Sequence, residues 1–472
     1  MSNKEASVKT VRPFGWRDQL GYLAGNFAGD FTFTLCSGFM MKFYTDVMGV
    51  SAAIIGVLMM VAQFADAFTD LTMGQIVDRS RTGKNGKFRP WILRSAGPVA
   101  LTSFLLYANW MKDAPMTVKI VWMFVTYLLY SSVFYTMFII PYGSMASAIS
   151  NDPVDRTKLS NWRHIGGTLS MTFINVIMPI AVFYKDPNGH EIFSGFRMSV
   201  AGFAFSLAAF ILFLVCYFLT TERVKVPRNE EKLNVGAFVS DLLHNRGLVA
   251  IVLLILVQEC SNSAFHGMSG YIFPNYFNNA AAMSVSSIEE TIITLAVAAV
   301  IVGIVAKTGK KEITVIGTLV SAAALGLGFI LHTHSVVMWL VIYGLVTVGL
   351  SLFNPVTFAL VTDIVDDEEV RTGKRIDGTI YSIYSFGRKF GHAVSSGIRG
   401  IMLTAAGYTA ATAFDAGVLD KVYNVSCLVP MVGFALMAAI VAFLYPLNKK
   451  KVEENVAILK QRHAEQEAQE QD

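Results

Sequence analysis

Asp66 and Asp70, in VAQFADAFTDLTMGQIV, lie four residues apart inside a stretch that is otherwise apolar enough to cross a bilayer. On a helix that spacing places the two carboxylates side by side, one turn apart. A carboxylate at bilayer depth costs about 2.5–3.5 kcal/mol on insertion scales and is retained mostly where it binds something. Thr69 lies between them, and Thr136 belongs to a later apolar segment that can pack across from them. Carboxylate, hydroxyl and carbonyl oxygens are what a hard monovalent cation takes. Two close carboxylates can equally share a proton, so Na+, Li+ and H+ all stay open as the cation, and no other cofactor is called for. Asp30, in GYLAGNFAGDFTFTLCSGF, is a third intramembrane acid, and Lys389, in SIYSFGRKFGHAV, is an intramembrane base able to supply the counter-charge.

These residues need elements to hold them, and composition says which kind. The 472 residues are 54% hydrophobic and only 15% charged, with a mean hydropathy of +0.50. A soluble chain averages about 25% charged residues. The pattern predicts an all-α membrane protein with twelve spans near 19–46, 52–77, 91–110, 118–149, 154–184, 197–221, 247–275, 288–306, 312–332, 336–363, 378–405 and 423–446, each near or above the ~20 residues that a bilayer requires. Basic residues crowd the even-numbered loops and both ends: Arg79, Arg81, Lys84, Lys87 and Arg89 follow the second span, and Lys449, Lys450 and Lys451 open the tail. By the positive-inside rule both termini are expected in the cytoplasm, with the chain in the inner or plasma membrane. The net charge of +4 expresses that loop bias and gives no reason to invoke nucleic acid. Residues 1–18 are polar and lack the apolar run of a signal peptide. Cys36, Cys216, Cys260 and Cys427 sit in apolar spans without metal-ligand spacing.

One long polar segment, TTERVKVPRNEEKLNVG (220–236), divides the spans six and six. The expected organisation is a six-helix half over 1–221, a linker over 222–246, a second half over 247–446 and a cytoplasmic tail over 447–472. Six plus six is the major-facilitator plan, in which substrate binds near the midplane. In the seventh span Glu259, Asn262, Ser263 and His266 fall along one face, a stripe that either lines a cavity or bonds a neighbouring helix. Tyr135, Tyr381 and Tyr384 could stack on a sugar ring. Asp78, Arg79 and Arg89, in the loop after the second span, are expected to work a cytoplasmic gate, with Asp363, Asp366, Asp367, Glu368 and Glu369 as partners. That loop is not a phosphate-binding one, because Phe88 stands where Ser or Thr is required. An intramembrane aspartyl hydrolase needs its acids on separate helices, whereas the tightest pair here shares one, so no enzyme is expected. A non-transporting sugar sensor would need a signalling domain larger than the 26-residue tail.

Four stretches then make a specific match: YTDVMG (44–49), DAFTDLTMGQIVDRSRTGKNGKFRPWIL (66–93), IIPYGSMASAISNDPVDR (139–156) and DIVDDEEVRTGKRIDGTIYSIYSFGRKFGHA (363–393). Together, in order and on matching helices, they resemble the glycoside-pentoside-hexuronide:cation symporter family of the major facilitator superfamily. The resemblance implies import of a sugar by symport with Na+ or H+, with uniport or exchange as the alternative. It assigns Asp66 and Asp70 to the cation site, Thr136 to its helix-four hydroxyl, Lys389 to the helix-eleven base and Ser385 to the hydroxyl one turn earlier. It also assigns Asp30 and Arg163 to the sugar; Glu259, read from the helix-seven stripe and not from the resemblance, adds a contact to sugar hydroxyls if that face lines the cavity, which would argue against an anionic sugar. Against the galactoside-binding pattern the chain departs at Ile139, Gly143 and Gly29, which replace an acid, a stacking tryptophan and a lysine. Losing one acid while keeping Arg163, His164 and Lys389 leaves a more cationic site, which suits a uronide.

Overall fold

The computed structural model describes residues 12–80, 82–83, 85–150, 152–224, 245–373 and 377–471, with some side chains inside helices left out, those of Asp78, Tyr381 and Ser385 among them. The chain is helical almost throughout. In order come α1 (Trp16–Asp46), α2 (Ala52–Arg79), α3 (Arg89–Leu105), α4 (Met116–Ile149), α5 (Pro153–Val182) and α6 (Gly195–Leu219). Then follow α7 (Arg246–Tyr276), α8 (Ala281–Thr308), α9 (Lys310–Leu331), α10 (Val336–Thr372), α11 (Asp377–Ala406), α12 (Ala416–Leu444) and α13 (Lys449–Gln471). The first twelve correspond to the twelve expected spans, with ends displaced by up to nine residues; α13 forms the tail. Among the described residues nine of these helices are long and apolar enough to cross a membrane. Of the others, α3 has only 17 residues, and α11 carries Arg388, Lys389 and Arg399.

Local chemistry sets several helix ends. Pro153 opens α5, where its missing N–H is no loss. Asn245 caps α7, its side chain accepting from the backbone N–H of Gly247 and Leu248. Ser335 caps α10, and Gly373, at φ +70°, ends it in the left-handed conformation that glycine adopts without a Cβ clash. A short antiparallel hairpin, β1 (Phe183–Lys185) with β2 (Glu191–Phe193), joins α5 to α6. It is not among the expected elements, because three-residue strands are too short to show a period of two.

The residues cluster into two compact units. The first comprises Met1–Met40, Ala65–Ile174 and Gly195–Glu231. Its core is aromatic: Tyr22 stacks on Tyr142 with centroids 4.6 Å apart, and Phe138 packs on Phe213 at 4.4 Å. Asp18, fully buried at the start of α1, ties this unit together. It accepts from Arg12 at 2.9 Å, from Arg223 at 2.8 Å and from the Thr221 N–H at 3.0 Å. Arg223 also donates to the carbonyls of Arg12, Pro13 and Ile149. Removing one partner of a buried pair leaves the other uncompensated, at a cost of about 3–5 kcal/mol. Asp18→Ala should therefore destabilise the protein toward the low end of that range, since Arg12 stays one-third exposed. Thermal unfolding in detergent checks this; an unchanged melting temperature would remove Asp18 from the account.

The second unit comprises Met41–Phe64, Asn175–Ser194 and Lys232–Asp472. Leu254, Phe265, Phe353, Leu360, Phe434 and Tyr445 are among the buried residues of its core. Lys42 is enclosed within it: the ammonium pairs with Asp46 at 2.9 Å, donates to Tyr408 Oη at 2.9 Å and to Asn275, and lies 4.4 Å from the Tyr271 ring centroid. The tail helix α13 docks on the end of α10. Asn455, itself buried, donates to Asp367 at 2.9 Å, and Arg462 donates to the carbonyls of Glu369 and Val370.

Candidate functional site

In the first unit the acids of α2 meet α4. The hydroxyls of Ser131 and Ser132 donate to the two oxygens of Asp66, and Thr136 donates to Asp70 Oδ1 at 2.9 Å. Thr69 bonds back to the Asp66 carbonyl at 3.1 Å, so it sits against its own helix. Three hydroxyls and two carboxylates thus converge, an all-oxygen set suited to a hard monovalent cation or a proton. The backbone explains how consecutive serines reach one carboxylate: residues 129–135 of α4 form a π-helical stretch, and such wider turns recur at functional sites. Sequence reasoning had Thr136 but missed Ser131 and Ser132. Their signal was the hydroxyl pair in YSSVFYT, which a strict 3.6-residue period does not bring onto one spot.

Asp30 and Arg163 come together in the same unit through Asn26, a residue the sequence did not single out. Arg163 Nε donates to Asn26 Oδ1 at 3.2 Å, and Asn26 Nδ2 donates to Asp30 Oδ2 at 2.6 Å. The Arg163 guanidinium also lies 5.5 Å from the Tyr142 ring centroid. Gly167 on α5 makes room for this arrangement, since a Cβ there would fall 2.7 Å from Asp30 Oδ2. Tyr135 belongs to an aromatic row, stacked on Phe33 at 5.8 Å and beside Tyr130 and Phe138.

Lys389 and Glu259 belong to the second unit. Lys389 is exposed on α11. Glu259 on α7 faces His392, Oε2 to Nε2 at 3.5 Å, and His392 is another partner that sequence alone did not name. Of the helix-seven stripe, His266 also meets a neighbouring helix, at Tyr343, and beside the stripe Gln258 donates to Asn354 at 3.2 Å. The side chains of Ser385 and Asp78, both expected in functional roles, lie outside the described residues.

Of the expected gate residues and their partners, Arg89, Asp363 and Glu368 bond within their own units. Arg79 is exposed at the end of α2. Arg89 donates twice to the Tyr217 carbonyl, at 2.6 and 3.1 Å, and lies over the Tyr217 ring. Glu222, just past α6, accepts from the backbone N–H groups of Lys87, Phe88 and Arg89 at 2.7–2.8 Å, which suits an anion at a helix N-terminus. On the other side, Asp363 pairs with Lys310 at 2.5 Å, and Glu368 with Arg371 at 2.6 Å and Asn245 at 2.5 Å. Glu222→Ala should accelerate amide exchange at residues 87–89 and lower stability by about 1.5–3 kcal/mol, the worth of bonds to a charged group. Hydrogen–deuterium exchange of the full chain reads this directly. Unchanged protection there would mean that Glu222 does not hold the loop.

Comparison with known proteins places these features in context. Residues 21–449 match the family described as MFS/sugar transport protein. The chain is 31% identical over 445 residues to the glucuronide carrier protein homolog of Escherichia coli (strain K12), covering 93% of this chain and 94% of that one. It is 28% identical over 473 residues to the isoprimeverose transporter of Lactiplantibacillus pentosus, covering 99% and 96%. Among solved structures, a D-xylose-proton symporter superposes with a TM-score of 0.60 at 15% identity, over 91% of this chain and 97% of that one. That last likeness concerns the fold.

Proposed function

The chain belongs to the MFS/sugar transport protein family, and on that premise we propose that it is a multi-pass membrane transporter importing a sugar by symport with a monovalent cation. The observation that carries this reading is the convergence of Asp66 and Asp70 with the hydroxyls of Ser131, Ser132 and Thr136. Asp66, Asp70, Thr69 and Thr136 hold the driving cation, which is Na+, Li+ or H+, and the two serines enlarge its oxygen shell. Asp30 and Arg163 bind the sugar, with Tyr135, Ser385 and Glu259 as further contacts. A carboxylate accepts from two sugar hydroxyls and fixes their geometry, while a guanidinium recognises a sugar acid or ring oxygens. Lys389 couples the two ligands, and Asp78, Arg79 and Arg89 belong to the gate. The protein lies in the cytoplasmic membrane with both ends inside.

The relatives named for glucuronide and isoprimeverose support glycosides and uronides as the substrate class, and Arg163 favours the acidic member. Uptake into proteoliposomes tests the reading, with a panel of glycosides, pentosides and uronides under imposed Na+ or H+ gradients. Accumulation of at least one sugar against its gradient, dependent on one of the two ions, is expected. Equilibration without accumulation across the panel would make the protein a uniporter or exchanger instead.

A further inference from the structure

Helices α7, α8 and α10 of the second unit bring three proton-active side chains together inside apolar spans. His266 Nδ1 lies 3.2 Å from Tyr343 Oη, and Tyr343 donates to Glu290 Oε2 at 2.9 Å. His266 Nδ1 stands 3.7 Å from that same carboxylate oxygen. Tyr343 is 3% exposed, and its ring stacks on Phe265 at 4.7 Å, so the central hydroxyl is held in place. The two ends of the chain of bonds are open: the His266 side chain is 39% exposed and that of Glu290 37%. Glu289 precedes Glu290 on the same helix, fitted against Gly344, where a Cβ would fall 2.2 Å from Glu289 Oε1. Two neighbouring acids thus lie within an apolar helical span beside one imidazole. Among the described residues Glu290 pairs with His266 and with no lysine or arginine.

A carboxylate within an apolar span that faces an imidazole and a phenol but no lysine or arginine among the described residues is costly as an anion. It has too few oxygens around it to bind a hard metal ion, and a ring nitrogen is a poor ligand for one. A proton is the one ligand that fits all three groups. We propose that His266, Tyr343 and Glu290 form a protonation site of the second unit, one that adds to the carboxylates of α2 and rests on no choice of transported solute. The hydrogen-bond network fixes how the site loads. Tyr343 gives its proton to the bond with Glu290, so its oxygen accepts from His266, which places the imidazole proton on Nδ1 and leaves Nε2 as the entry. When a proton enters at Nε2, the Nδ1 proton passes to Tyr343 Oη and the Tyr343 proton passes to Glu290 Oε2. One proton in equals one proton gained by the carboxylate, and the cluster goes from one negative charge to none. Only O–H and N–H bonds are made or broken. The groups that face the acid are His266 from α7, Tyr343 from α10 and Glu289 from α8 itself.

Infrared difference spectra of the full-length protein in lipid, recorded as pH is varied without sugar, test the site independently of transport. A protonated-carboxyl signal is expected from the native protein and should be missing from Glu290→Gln. Tyr343→Phe keeps the ring and its packing but removes the relay hydroxyl. It should retain the carboxyl signal and move its midpoint by about one pH unit, the size of shift a lost hydrogen-bond partner produces. His266→Asn should do the same. If the native and Glu290→Gln spectra coincide, the site does not titrate and the proposal is wrong. If Tyr343→Phe and His266→Asn lower the melting temperature but leave the midpoint in place, the cluster is a structural bond between helices and the proposal fails equally.

Discussion

Asp66→Asn and Asp70→Asn should each abolish ion-driven sugar accumulation, while downhill exchange is expected to survive at a reduced rate. The expectation follows from the geometry on α4. Ser131, Ser132 and Thr136 are arranged around two carboxylates, and an amide supplies neither the charge nor two equivalent acceptor oxygens. Coupling between two ligands is reciprocal, so a cation that raises sugar affinity by a factor of about 5–150 has its own affinity raised by the same factor. In either variant that factor falls to one. Sugar affinity measured with and without Na+, at two pH values, gives the factor directly. Exchange persists because Asp30 and Arg163 are untouched. Should both variants accumulate sugar with unchanged ion dependence, the cation binds elsewhere, and the His266–Glu290 cluster becomes the first place to look.

Arg163→Ala should weaken sugar binding strongly. A hydrogen bond to a charged group contributes about 1.5–3 kcal/mol, so losing it weakens affinity about 10–150-fold. Loss of Arg163 also releases Asn26, which positions the Asp30 carboxylate, so the two effects compound. Gly167→Ala is the sharper companion experiment. It changes no charge, yet its Cβ would meet Asp30 Oδ2 at 2.7 Å and displace it. Both variants should fold and bind sugar weakly, with Arg163→Ala hurting a uronide more than the matching neutral glycoside. Unchanged affinity in both, measured by ligand displacement on the purified protein, would take the sugar away from this corner of α1 and α5.

Much of this arrangement was legible in the sequence, for reasons particular residues make plain. Apolar length located the helices, because backbone groups in lipid must be bonded within the helix. Where charge entered a helix the reading fell short: α8 begins at Ala281, ahead of Glu289 and Glu290, and α10 runs on to Thr372 through Asp366, Asp367, Glu368 and Glu369. The four-residue spacing of Asp66 and Asp70 needed no structure to interpret. Asn26, Ser131, Ser132 and Glu222 were out of reach because each acts through a partner distant in sequence. Glu222 meets the N–H groups of 87–89 across more than 130 positions, and no local pattern announces that. Helix-seven polarity was readable as a stripe, but which helix each member bonds was not.

The π-helical stretch of α4 has a bearing on how such a site can arise or vanish. Each residue of an ordinary helix turns the chain by about 100°. Deleting a single residue between Leu129 and Tyr135 would let the segment relax to an ordinary helix without breaking it. The wide turns absorb the extra residue, so the flanking helix would keep its facing and only the residues inside the stretch would shift, by about that angle, relative to Thr136. Ser131 and Ser132 would swing off Asp66, while Thr136 kept its bond to Asp70. A one-codon deletion could therefore strip one carboxylate of its hydroxyls and spare the other, and a one-codon insertion could restore them. Relatives that use different driving ions could be separated by a change in chain length at this point, with every acid conserved.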